Sequence, residues 1–512
     1  MNEPIRITGE HLTMEEVAAI AAGATATLAP EAVAAMERSR QGVERLLARG
    51  EIAYGITTGF GAFKGRIIPP HEVAALQRNL VLSHASGVGP LLSREAVRAV
   101  IAVRANTLAM GYSGIRPQVV QRLLDLLRHE IVPCIPAYGS VGASGDLAPL
   151  AHLACVLIGE GEAFYRGERL PGGEALRRAG LEPVELRAKE GLALINGTAV
   201  TTALGTLATL RAERLVRTAD IVGAMTLEAL RGTPDAFDER LHLVRPHPRQ
   251  VEAAACIRRL LQGSTFLRPR DPRDIQDAYS LRCIPQVHGA IRDTVACARW
   301  ALEIELNSVT DNPLIFFEGE EPVVLSGGNF HAEPIGLALD YLKLGLVELG
   351  NISERRIARL IDESLSNGLP PFLTRHGGLE SGFMLAQYTA ASLASRNKVL
   401  AHPSTADTIP TSANTEDHVS MATNAAHHTL AVIESVETIV AIELLAAAQG
   451  IDFRREQLGP TARLGKGTAI AYEIVRREIP FLEHDQPLAP LIERARQLVA
   501  EGAILAAAEG SR

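Results

Sequence analysis

The sequence predicts a mainly α protein: a smaller N-terminal domain followed by a long helical bundle. Three observations predict it. Apolar residues recur at three- and four-residue spacing, while strand-like alternation is scarce. Several such runs reach about 25 to 30 residues, well beyond the mean globular helix. Hydrophobic residues make up 47% of the 512-residue chain but aromatic ones only 4%, so the core is aliphatic and suits closely spaced helices.

The elements follow in order. TMEEVAAIAAG opens with Thr13 and carries Glu16 three places on, a capping box. EAVAAMERSRQGVERLLARG keeps the helical spacing and stops at Gly50. Residues 94–110 and 116–130 read the same way. The turn-rich stretch GEGEAFYRGERLPGG fits a small hairpin. Long helices then dominate: 195–230 as one or two helices, 285–309, 332–361, 379–401 and 418–449. The expected division is soft, with residues 1–205 as one domain and 206–512 as the bundle.

Composition removes several classes of function. The formal charge is −8, from 51 basic and 59 acidic residues, and no basic run stands out, which argues against a nucleic-acid surface. No uncharged apolar run is long enough to span a membrane, and the N-terminus MNEPIRITGEHLT lacks a basic-then-apolar leader. The five cysteines form no CxxC pair and read as reduced thiols, so the cytoplasm is the expected location. Common catalytic motifs are missing. Gly465-Lys466-Gly467-Thr468 lacks the spacing of a phosphate loop, and no HExxH or zinc-spaced His/Cys set occurs. Gly142-Ala143-Ser144-Gly145-Asp146 is not a GxSxG elbow.

The informative segments are the small-residue interruptions between helices, since loops held by rigid elements commonly carry chemistry. The most unusual is GSVGASGDLAP, 139–149. One reading is a plain helix connection, with Asp146 as N-cap and Pro149 in the first turn of the next helix. The other is chemical. The unhindered amide of Gly145 can fold back on the carbonyl of Ala143. Loss of water, including the Ser144 hydroxyl, then leaves an exocyclic methylene conjugated to the new ring, an electrophile that no ordinary side chain offers.

That loop resembles the signature of the histidine and aromatic amino acid ammonia-lyases, which carry the methylidene-imidazolone group, MIO. Further blocks resemble the family in the same order: YGITTGFG, LVLSHASGVG, KEGLALINGT, QDAYSLRCIPQVHG, ELNSVTDNP, SGGNFHAEP, ISERR, SGFMLAQYTAA and TSANTEDHVSM. They run from residue 54 to about 450.

The resemblance implies a fold of the ammonia-lyase and fumarase type, with MIO formed autocatalytically from Ala143, Ser144 and Gly145 and with neither metal nor nucleotide. It implies Tyr54 as the base, although a free phenol titrates near ~10. It implies Asn196 beside the amine, Tyr279 as a further catalytic residue, Gln276 in the substrate site, Arg282 as the carboxylate clamp and Phe330 packed near MIO. A guanidinium suits a carboxylate because it bonds it bidentately. Taken alone, each of these residues reads as ordinary core, turn or surface. Ser83-His84 and Glu416 are similar to the histidine-specific members, where the pair reaches both ring nitrogens of an imidazole. Glu416 alone would read as a first-turn helix acid.

The implied reaction is non-oxidative deamination of L-histidine to trans-urocanate and ammonia, a step of histidine catabolism, in a homotetramer whose sites draw on several subunits. The alternatives are a tyrosine or phenylalanine lyase or aminomutase, and a non-catalytic helical scaffold. The chain departs from the family pattern at Ala199, at Arg396 and in an apparent insertion at Asn367-Gly368.

Overall fold

A computed structural model describes residues 3–269 and 276–510. Helices dominate it, with four small sheets of two or three strands. Among the helices used below, α1 is Met14–Ala22, α2 Val73–His84, α3 Leu147–Leu157, α4 Glu190–Ile195 and α5 Ala199–Ala229. Further on are α6 Pro248–Leu260, α7 Ile284–Leu306, α8 Glu333–Ile361, α9 Met384–Leu400, α10 Ala422–Leu458 and α11 Lys466–Glu478. No helix among the described residues is long and apolar enough to cross a membrane.

The helix starts follow local chemistry. Thr13 Oγ1 accepts from the Glu16 amide at 3.1 Å and Glu16 Oε2 accepts from the Thr13 amide at 2.9 Å, closing the expected capping box of α1. The turn-rich stretch forms the expected hairpin. Strands β1 Glu162–Tyr165 and β2 Glu168–Pro171 pair antiparallel across Arg166-Gly167, both at positive φ, as a two-residue primed turn requires.

The chain forms two compact units. One comprises 1–208, 298–340 and 403–427; the other comprises 209–297, 341–402 and 428–512. The sequence suggests a first break at 205/206, and the first break lies at 208/209. The return of 298–340 and 403–427 to the first unit has no compositional mark, because the breaks at 297/298, 340/341 and 427/428 fall inside α7, α8 and α10.

The first unit positions the loops described below. The second is built on aliphatic helices: Val432, Ile433, Val436, Ile439, Val440 and Ile442 of α10 are fully buried. A buried carboxylate, Glu443, fixes their register. Arg356 donates Nε to its Oε1 at 2.5 Å and Nη2 to its Oε2 at 2.8 Å, and the Ser353 and Thr226 hydroxyls donate to it at 2.6 and 2.7 Å. A buried ion pair needs such saturation to offset desolvation.

Two runs differ most from the expectation. The last long run is expected at 418–449 but is helical over Ala422–Leu458. Met421 sits at φ 54, which delays the start, and Gly450 lets the helix continue past close neighbours, since an added Cβ would lie 3.2 Å from Ala229 Cβ. The run expected at 379–401 begins at Met384, after Gly382 at φ 51.

Candidate active site

The glycine loop is built to lie against the Ile195-Asn196-Gly197-Thr198 turn. Gly142 and Gly145 take φ 66 and 69, conformations that side chains disfavour. A Cβ on Gly145 would lie 2.1 Å from the Gly197 carbonyl oxygen, so only glycine fits. The two turns are stitched through the backbone: the Asp146 amide donates to Gly197 O at 2.8 Å, and the Gly197 amide to Ser144 O at 3.2 Å. Below Gly197 lies the fully buried Arg104, whose guanidinium donates to Ala193 O at the end of α4. Burial pulls this arginine down to about 10.

Asp146 was expected to cap α3, but its side chain makes no capping bond there. It is completely buried and accepts four hydrogen bonds instead. These come from Ser140 Oγ at 2.9 Å, and from the Thr201 amide, Thr201 Oγ1 and Thr423 Oγ1 at 2.8 Å each. Four donors on one carboxylate compensate its desolvation and lock the loop from beneath.

Above the loop is a cavity of about 750 Å³, of small-molecule size. Tyr54, His84, Ser144, Asn196 and Glu416 all line it. Tyr54 Oη accepts from the Gly61 amide at 3.2 Å, and its ring meets Phe60 edge-on. His84 ends α2; Ser83 Oγ lies 3.1 Å from its Nδ1. Burial pushes the His84 imidazole below the usual histidine range, against opposing pulls from the Leu80 carbonyl and the Glu416 carboxylate. The ring is therefore neutral at neutral pH, one nitrogen donating and the other accepting. Asn196 is buried, and its Oδ1 has no partner among the described residues.

Glu416 is not a first-turn helix acid, because α10 starts at Ala422. It closes a tight turn in which Ser412, Ala413 and Asn414 all have positive φ. Its Oε1 accepts from Ser144 Oγ at 2.9 Å and its Oε2 from Thr411 Oγ1 at 2.7 Å. Three consecutive left-handed residues that are not glycine are costly, and such strain is typical of functional loops.

Ala143, buried, and Gly145 lie in the loop itself. Phe330 sits in the turn before α8 and is not among the lining residues. Gln276, Tyr279 and Arg282 lie in the second unit. Gln276 is exposed, and the Arg282 guanidinium stacks 4.5 Å above the exposed ring of Tyr279. The cavity also holds side chains that sequence reading did not single out, notably Phe60, Arg66, Asn79 and Leu192. A signal existed for two of them. Asn79 lies on the His84 helix one turn and a residue before it, and Leu192 is four residues before Asn196.

A second cluster was invisible to local spacing. His331, Glu333 and His418 bring one ligand atom each within 4.8 Å of one another, a set that could hold a cation. His331 and Glu333 lie two residues apart and His418 comes from a distant segment, so no zinc-like His/Cys spacing marks the set.

Residues 12–477 match the family of aromatic amino acid lyases. Over 508 residues the chain is 59% identical to a histidine ammonia-lyase of Chloroflexus aurantiacus, covering 98% of this chain and 97% of that one. The solved histidine ammonia-lyase of Trypanosoma cruzi is 42% identical with a TM-score of 0.91, covering 99% of this chain and 95% of that one. A tyrosine aminomutase of Streptomyces globisporus reaches a TM-score of 0.93 at 39% identity, with 99% of each chain covered.

Proposed function

The chain belongs to the aromatic amino acid lyase family, and from that premise we propose that it deaminates L-histidine to trans-urocanate and ammonia. The observation that carries the substrate is the meeting of His84 and Glu416 with Ser144 in one cavity. A neutral imidazole and a carboxylate complement the two nitrogens of a substrate imidazole. A phenyl ring in the same place would leave the carboxylate unpaired and desolvated, which is costly.

Ala143, Ser144 and Gly145 fit the family's MIO group. The Gly145 amide carries no side chain and can accept none, and the residues on either side are clamped by Asp146 and Gly197. When formed, MIO supplies an electrophilic methylene that takes up the substrate amine and makes it a good leaving group. The protein's own groups do the rest. The Asn196 Oδ1, buried without a partner, accepts from the amine. Tyr54, lining the same cavity with its Oη held by the Gly61 amide, removes the β-proton. Glu416 and His84 hold the ring so that the Cβ–H faces the phenol.

Arg282 binds the substrate carboxylate, and Tyr279 packs with it, from another copy of the chain in a homotetramer. Exposed apolar side chains at helical spacing support self-association: Trp300 and Ile304 on α7, and Leu385 and Tyr388 on α9. Phe330 and Gln276 are assigned to the same assembled site. The reading places the enzyme in the cytoplasm, where its five free cysteines stay reduced.

The test is an absorbance assay. Histidine should give a rising urocanate signal, with an intact mass two waters below that of the plain chain. A cinnamate or coumarate signal from phenylalanine or tyrosine, with none from histidine, would transfer the substrate assignment. An unmodified mass with no turnover would remove the chemistry altogether.

A further inference from the structure

The second unit holds a basic cavity of about 520 Å³ that shares no residue with the catalytic one. Arg217 of α5, Arg259 of α6, Arg292 of α7 and Lys466 of α11 line it, against one carboxylate, Glu252, among the described lining residues. Four cations around one carboxylate attract anions.

Helix α11 enters with its N-terminus. Gly465 caps it without a side-chain hydrogen bond, and Gly467 of the first turn lines the cavity. The Gly465 amide donates to Glu228 Oε1 at 2.8 Å and the Lys466 amide to Gln262 O at 3.0 Å, which leaves the Gly467 and Thr468 amides without an intrahelical acceptor at the positive end of the helix dipole. Gly467 also explains how the helix end comes so close to α6: a Cβ on it would lie 2.4 Å from Leu260 Cδ2. Glycine brings the amide end beside the helix that carries Arg259. The sequence GKGT lacks phosphate-loop spacing, yet the fold sets it against three arginines.

The independent observation is Arg292. It is 9% exposed. Its Nη2 donates to Asp220 Oδ2 at 2.6 Å, and its Nε lies 3.9 Å from Glu252 Oε1. Its Nη1 is buried and has no hydrogen-bond partner among the described residues. The other oxygen of Asp220 accepts from His288 Nδ1 at 2.7 Å. A buried guanidinium with an empty prong, in the wall of a basic cavity at a helix N-terminus, is a recognition group for an oxyanion.

We propose that this cavity binds a phosphate group, as inorganic phosphate or as a small phosphate monoester, at a site separate from the catalytic one. Arg292 Nη1 and the Gly467 and Thr468 amides of α11 contact the oxygens, while Arg259 and Lys466 neutralise the charge. No aromatic side chain is among the described lining residues to stack a base, so a nucleobase is not part of the ligand.

The test is calorimetric titration of the full, assembled protein at fixed ionic strength with inorganic phosphate, glycerol 3-phosphate and, as a carboxylate control, succinate. Phosphate and glycerol 3-phosphate should bind saturably, one per chain. Arg259→Glu/Lys466→Glu, two exposed positions outside the catalytic cavity, should weaken binding by at least about tenfold while melting temperature and turnover without phosphate stay unchanged. Lys466→Ala alone should give a smaller loss in the same direction. Tighter binding of glycerol 3-phosphate identifies a monoester as ligand, and equal binding identifies free phosphate. Absence of saturable binding by both, equal binding of succinate, or unchanged affinity in the double variant overturns the proposal.

Discussion

Replacing Glu416 with glutamine tests the substrate assignment directly. The side chain keeps its shape and loses its charge. The carboxylate accepts from Thr411 Oγ1 at 2.7 Å and, until ring formation removes that hydroxyl, from Ser144 Oγ at 2.9 Å. Glutamine keeps one acceptor oxygen, which can retain the bond from Thr411 Oγ1. The turn therefore survives, and the loss falls on the substrate. A charge-assisted bond from an imidazole N–H is worth about 1.5–3 kcal/mol, which converts to about 10- to 150-fold in kcat/KM for histidine.

Initial rates of urocanate formation measure this, on a sample whose intact mass shows the loss of two waters, so that failed ring formation is not mistaken for lost binding. Relief of an unpaired carboxylate should also shift the ratio of phenylalanine to histidine turnover upward. A variant within about twofold of the parent on histidine, with its mass intact, refutes the role of Glu416.

Other expectations follow from the same geometry. Gly145→Ala sets a Cβ 2.1 Å from Gly197 O at φ 69, so the variant should show neither the mass change nor turnover. Asp146→Asn turns an amide toward donors such as the Thr201 N–H, and urea unfolding should register a loss of about 1–3 kcal/mol. Burial raises Glu228 to about 6, above its ordinary 4.5, while its Oε1 accepts from the Gly465 amide at 2.8 Å. The unfolded chain releases that proton first, so stability falls as pH rises from about 4.5 to 6 and remains about 2 kcal/mol lower above that window. Glu228→Gln should restore that amount at neutral pH and flatten this part of the profile; an unchanged profile would rule the titration out. Finally, Tyr54→Phe and Arg282→Ala should each be nearly inactive, yet mixing them during refolding should restore turnover if the two residues meet only across subunits.

What the sequence revealed was chemistry that stays local. The capping box at Thr13 and Glu16, the Arg166-Gly167 hairpin and the permissive glycines of the 139–149 loop each depend on a few consecutive residues. What it hid depends on distant partners. Asp146 has the composition of an N-cap, but three hydroxyls and one amide outcompete the helix end for its carboxylate. The His331–Glu333–His418 cluster has no spacing to read. Glu416 looked helical because no local rule foretells three left-handed residues at 412–414 held by a hydrogen bond from Ser144.

The cavity of one chain is chemically lopsided, and that bears on how the enzyme must be assembled. Under the proposed function it holds a ring-recognising pair, an amine acceptor, a phenol and the electrophile-forming loop, but an amino acid also brings a carboxylate. Among the described lining residues the arginine present is Arg66, which is solvent-exposed on the 54–69 loop, where a hydrated guanidinium gains little from pairing. Arg282 stands differently. Its guanidinium is stacked on Tyr279, a ring left largely in solvent, and its Nε is buried without a partner among the described residues. A preoriented, partly unsatisfied arginine beside an exposed aromatic ring is poised for a surface it does not yet touch. The proposed function assigns the carboxylate clamp to Arg282 of another copy, and under that proposal association of chains is part of the catalytic apparatus rather than an addition to it.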